Sequence, residues 1–111
     1  MWEKKLEIYD AIVSKCPHIK RLGKTMPYTA TNGYMFSLLN KAGEIGIRFS
    51  TEVQKKFIEE HGTTIYKSYG AVMKDYALIP EKMLENQEAV ASLLNQSYDY
   101  FNSIAPNKHK R

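Results

Sequence analysis

At 111 residues, with 43% hydrophobic and 25% charged residues, the chain has the size and composition of one domain with a single core. Its net charge of +4 gathers at the end, where Lys108, Lys110 and Arg111 fall in the last four residues, and the remainder carries only about +1. No apolar run approaches the ~18 residues of a membrane span, and Cys16, alone, excludes an intramolecular disulfide.

The first stretch carries Trp2, Leu6, Tyr9, Ile12, Val13 and Cys16 at intervals of three and four, with charged residues around the other side. That spacing predicts an amphipathic helix, ended near Cys16 by Pro17, which has no amide hydrogen to donate. Because the N-terminus leads into this pattern rather than an apolar signal core, export is not expected and the expected location is the cytoplasm. Cys16, beside apolar neighbours, reads as a small buried hydrophobe. Lys15, His18, Lys20, Arg21 and Lys24 form the one internal basic cluster, read as a solvated loop.

From Thr25 to Phe49 the period changes to two. Met26, Tyr28 and Ala30 alternate with threonines, and Pro27 points to an edge position or a strand start. Asn32-Gly33 is a hairpin signal, because both residues accept positive φ. Strict alternation then sends Tyr34, Phe36 and Leu38 to one face and Met35, Ser37 and Leu39 to the other. A turn around Gly43 leads to a third strand, with Ile45, Ile47 and Phe49 opposite Gly46 and Arg48. These three strands make a meander.

Thr51 and Gln54 suit a capping box opening the next helix, with Val53, Phe57 and Ile58 as its buried stripe. His61 falls in its last turn, and Gly62 supplies a left-handed stop. Ile65-Tyr66 starts a short strand, Gly70 turns it, and residues 72–79 return as a strong strand with Asp75 on its wetter side. Pro80 opens a helical turn, and Asn86 caps a last helix that aligns Val90, Leu93, Leu94, Ser97, Phe101 and Ile104. The expected fold class is therefore α+β, an antiparallel sheet of about five strands in the order α-β-β-β-α-β-β-α. Residues 1–105 form one domain, and residues 106–111 are expected to be a flexible basic tail.

Read for chemistry, the chain gathers little. His18, His61 and His109 are scattered over a loop, a helix end and the tail, with no second ligand at metal spacing. No phosphate-binding glycine loop occurs, and Cys16 with His18 lacks an orienting group. The expectation is a non-enzymatic protein with no catalytic residues, no metal and no cofactor. The excess lies in the eight tyrosines, five of which fall in the sheet region. Tyr28, Tyr34, Arg48, Tyr66, Lys67, Tyr69, Lys74 and Tyr76 form the candidate interaction surface. As an aromatic face with polar tips it suits a protein partner or a second copy, through the sheet or an edge strand. As rings interleaved with cations it suits single-stranded nucleic acid, the alternative reading, with help from the basic tail. No membrane partner is expected.

From about Thr25 to Phe101 the chain resembles the N-terminal domain of TfoX/Sxy-type proteins, bacterial regulators of competence. The resemblance rests on Met35-Phe36, on Ile47-Arg48-Phe49-Ser50 before the helix, and on Tyr66, Gly70, Met73 and Tyr76 ahead of Pro80, followed by the late helix near Phe101. It implies a secretion-chaperone-like α+β fold, a stand-alone form of the domain and a regulatory role through protein contacts, with no agreed biochemical activity.

Overall fold

Apolar residues three and four apart give the first helix, α1 (Trp2–Ser14), a buried stripe of Tyr9, Ile12 and Val13. The structure is a computed structural model and describes residues 2–68 and 70–106. After α1 come β1 (Tyr28–Thr31), β2 (Tyr34–Leu39), β3 (Ile45–Arg48) and α2 (Thr51–His61). The chain continues through β4 (Ile65–Ser68), β5 (Ala71–Leu78), a 3-10 turn (Glu81–Glu85) and α3 (Gln87–Ser103). The architecture is α+β in the expected order, with one antiparallel sheet of strand order β1-β2-β3-β5-β4. The expected tail lies outside the described residues from Asn107 onward.

Local chemistry accounts for most element ends. Asn32 and Gly33 take φ of 56° and 84°, as the hairpin requires. The Asn32 amide also donates to the carbonyls of Phe101 (2.8 Å) and Ile104 (3.0 Å), which ties the β1–β2 turn to the end of α3. Gly62 stops α2 at φ 61°, its N–H donating to Ile58 O, and the Asn86 side chain accepts from Ala89 N–H at the start of α3. Two ends differ from expectation. Ser50, not Thr51, caps α2 by accepting from Val53 N–H, while Thr51 Oγ1 donates to Asp75 Oδ1 at 3.0 Å. Gln54 is buried rather than closing a capping box, and its Nε2 donates to Tyr76 O. The first helix stops at Ser14, ahead of Cys16, in a turn where Lys15 and Cys16 N–H bond three residues back.

The strict alternation expected along β2 fails, and the reason is a bulge. Thr29 pairs with Ser37 and Ala30 with Met35, so Phe36 is an extra residue on β2. Phe36 and Ser37 both turn to the helical side: Phe36 meets Tyr98, and Ser37 Oγ bonds Tyr9 Oη at 2.6 Å and Thr29 Oγ1 at 2.5 Å. Beyond the bulge the faces are exchanged. Leu39 joins the helix-side core, and Leu38 moves to the far side with Met35.

The sheet thus has two apolar faces. One carries α1, α2 and α3 over Phe36, Leu39, Ile45, Ile47 and Ala77. The other buries Leu38, Tyr66 and Tyr76 and, among the described residues, receives no helix. Gly46 makes this second cluster possible. The Tyr66 ring lies against it, and a Cβ at position 46 would stand inside van der Waals contact with the ring. Gly46→Ala is expected to cost about 1–3 kcal/mol, the usual cost of overpacking. A lowered urea midpoint with an unchanged slope is the corresponding measurement.

Candidate interaction surface

The last hairpin curls across the helix-free face. β4 is separated from β2 in the sheet by both β3 and β5, yet Asn40, just past the end of β2, donates from Nδ2 to Lys67 O on β4 at 3.0 Å. Tyr66, also on β4, reaches over β3 to donate to Glu44 O at 2.8 Å, with Leu38 O at 3.2 Å sharing the same proton. Two irregularities in β5 supply the bend. Asp75 takes a left-handed φ of 69°, and the register with β4 shifts between Ile65 and Lys67, leaving extra β5 residues opposite Tyr66.

The result is a trough rather than a flat platform. Its floor is Leu38, Tyr66 and Tyr76, with Tyr66 0% exposed. Its half-buried sides are Met26, Tyr28, Met35, Met73 and Leu78. Tyr76 Oη donates to Met35 O at 2.7 Å, so both floor phenols spend their protons on backbone carbonyls and their rings face each other at 6.0 Å.

The residues singled out from sequence therefore separate into groups. Tyr28, Tyr66 and Tyr76 come together in the trough, but only Tyr28 retains exposure. Tyr34 and Arg48 belong to a different cluster, under the end of α3. The Tyr34 ring is 5.1 Å from Phe101, and the Arg48 guanidinium lies 5.1 Å from Phe101 and 5.8 Å from Tyr34. Arg48 Nε is buried without a hydrogen-bond partner, so the two ring faces are its compensation, worth about 0.5–2 kcal/mol. Ser97 Oγ donates to Arg48 O, fixing this end of β3 to α3. Lys67 and Lys74 are exposed on the curled hairpin. Tyr69 lies outside the described residues.

Sequence reasoning misses the methionines, because thioether side chains in a sheet carry no periodic signal beyond hydrophobicity. Nor is the internal basic cluster the single unit that its spacing suggests. In the structure Arg21 pairs with Asp10 at 2.8 Å, Lys15 with Glu88 at 3.9 Å, and His18 stacks on Tyr98. Lys24 instead meets Lys41 and Trp2 around a recess of about 370 Å³. Cys16 is buried, with its thiol toward the carbonyls of Ile12 and Ala91, and burial raises its pKa. Among the described residues, no three His, Cys, Asp or Glu side chains are grouped to hold a metal, and no helix is long and apolar enough to cross a membrane.

Compared with known proteins, the chain matches no family model and no curated protein.

Burial dominates the acid–base behaviour of three phenols. Tyr9, Tyr66 and Tyr76 are all raised well above the ordinary value of 10, chiefly by loss of hydration. The Glu44 charge pushes Tyr66 further in the same direction, whereas Arg48 partly offsets the effect at Tyr76. A phenol that stays neutral when folded but ionises when unfolded contributes stability that is complete below pH 10 and is lost as pH rises above it. The expected outcome is alkaline unfolding in which these three tyrosines ionise together with the loss of circular dichroism. Phenolate absorbance and far-ultraviolet dichroism followed in one titration would check it, and full ionisation with the fold intact would contradict it.

Proposed function

We infer that this chain is a non-enzymatic protein-docking module whose helix-free trough receives an apolar segment of a partner protein. The observation that supports this reading is a sheet apolar on both faces with helices, among the described residues, on only one. An uncovered sheet face ordinarily alternates to polar residues, and this one carries Met26, Met35 and Met73 beside Tyr28. Methionine sides on a rigid tyrosine floor suit a binding surface, since the thioethers adapt to varied shapes while the floor keeps its form. Among the described residues the groups a catalytic reading needs are not gathered: Cys16 is buried, His18 lies on Tyr98, and His61 lies on Phe57.

Charge selects the kind of partner. Lys67 and Lys74 stand exposed on the β4–β5 hairpin that curls over this face, and among the described residues neither has a carboxylate in ion-pairing reach. A segment with apolar anchors flanked by acidic residues complements this surface, whereas a second copy brings lysines to lysines. The regulatory role and cytoplasmic place rest on the TfoX/Sxy resemblance and on the single cysteine. Stacking of nucleic acid on the sheet tyrosines loses support, because Tyr66 and Tyr76 are buried.

A photo-crosslinking residue in place of Met73, which is half-buried on the trough side, samples the trough in cells without disturbing its floor. One discrete adduct, traced to a peptide with acidic flanks and abolished by Met35→Lys, is the expected result. Light scattering of the purified chain separates the occupants: a dimer that Met35→Lys dissolves would assign a second copy instead. A monomer that yields no adduct would overturn the docking reading.

A further inference from the structure

Away from the trough, three segments distant in sequence converge on the recess of about 370 Å³ lined by Trp2, Lys24, Thr25 and Lys41. Each wall is held in place by hydrogen bonds that a ligand need not break. The Trp2 indole is oriented by donation from Nε1 to Asn40 O at 2.9 Å. The Asn40–Glu44 turn that carries Lys41 is closed by three bonds, from Asn40 N–H to Glu44 O, Gly43 N–H to Asn40 O, and Glu44 N–H to Asn40 Oδ1. The loop that carries Lys24 and Thr25 is closed by reciprocal backbone bonds between Leu22 and Tyr28, at 2.8 and 3.0 Å. Gly23, at φ 82°, has no space for a Cβ against Met26 O, so the loop is built around its glycine.

The chemistry of the lining is one-sided. Among the described residues the lining holds no acid, and both lysines are exposed. Among the described residues, no carboxylate pairs with Lys24 or Lys41, although Lys5 beside them is paired with Glu81 at 2.7 Å. The positive end of the α1 dipole, which starts at Trp2, adds to the same sign, with Glu3 in the first turn offsetting part of it. A flat aromatic wall with two unpaired ammonium groups and a hydroxyl matches a ligand that has both a stacking ring and an anionic group. We propose that this recess binds a nucleotide unit, with the base on the Trp2 indole and the phosphate on Lys24 and Lys41. The source is either a free nucleotide or one residue of a single strand, and the volume suits one unit.

Trp2 is the single tryptophan of the chain, so intrinsic indole fluorescence reports on this recess alone. Titrations with adenosine monophosphate and with a short oligothymidylate are expected to quench it saturably, while inorganic phosphate at equal concentration leaves it unchanged. Lys24→Gln combined with Lys41→Gln is expected to weaken binding about tenfold or more, as loss of charge-assisted hydrogen bonds does. Both lysines are exposed, so the double variant keeps its fold, and unchanged dichroism verifies this. For the oligonucleotide, one neutralised phosphate gives a slope of about −0.7 in log affinity against log salt. Saturation by oligothymidylate well below the monophosphate assigns a single strand as the source, and the reverse assigns a free nucleotide. Indole fluorescence that neither nucleotide alters, or quenching that the double variant retains in full, would overturn the proposal.

Discussion

A phenol laid across a glycine holds the far side of this molecule together. Tyr66 belongs to an outer strand, but its ring lies on Gly46 in β3 and its hydroxyl bonds the carbonyls that end β2 and the following turn. An outer strand otherwise twists away from the sheet centre, leaving backbone and apolar side chains to water. Anchoring β4 this way draws the β4–β5 hairpin over the helix-free face and removes Leu38, Tyr66 and Tyr76 from solvent. Any larger residue at position 46 puts a side chain where the ring must lie. The dependence is therefore steric first, with the hydrogen bonds fixing direction once space exists.

The bulge at Phe36 does the complementary work inside β2. An unbroken alternation places Ser37 and Leu39 on the side away from the helices, out of reach of the Tyr9 hydroxyl. Inserting one residue brings Ser37 under α1, and its hydroxyl then joins Tyr9 to Thr29 in a buried chain that links helix, β2 and β1. The same insertion sends Leu38 to the trough floor. One extra residue thus satisfies a buried phenol on one face and supplies an apolar side chain to the other.

What is legible in the sequence is whatever is decided locally. The Asn32-Gly33 turn, the Gly62 stop, the Asn86 cap and the element order arise from φ preferences, capping chemistry and period, which act over a few residues. The sheet order and the trough are not legible, because they depend on Tyr66 meeting Gly46 twenty positions earlier in the chain. Nothing in a period-two pattern announces a bulge either, since Phe36 and Ser37 satisfy strand propensity equally well in either register. The candidate surface divides for the same reason. Tyrosines that share strands do not share a surface, because the curl buries two of them and the sheet end places Tyr34 with Arg48 and Phe101. Trp2 reads as part of a helical stripe, and its hydrogen bond to Asn40 joins segments that no local pattern connects.

The state of the sheet edges decides how this protein can meet another. An edge strand with free carbonyls and amides invites pairing by backbone addition. On β4 the carbonyl of Ile65 accepts from Thr64 Oγ1 at 2.9 Å and that of Lys67 from Asn40 Nδ2 at 3.0 Å. On β1, Tyr28 is already bridged to Leu22 through both its amide and its carbonyl. Side chains and a short loop therefore occupy several of the positions an added strand needs, and extension of the sheet competes there with bonds already made. The trough has no such occupant among the described residues, and its methionines lose nothing by being covered. Association through side chains in the trough is thus cheaper than association through the edges, even though both belong to the same sheet.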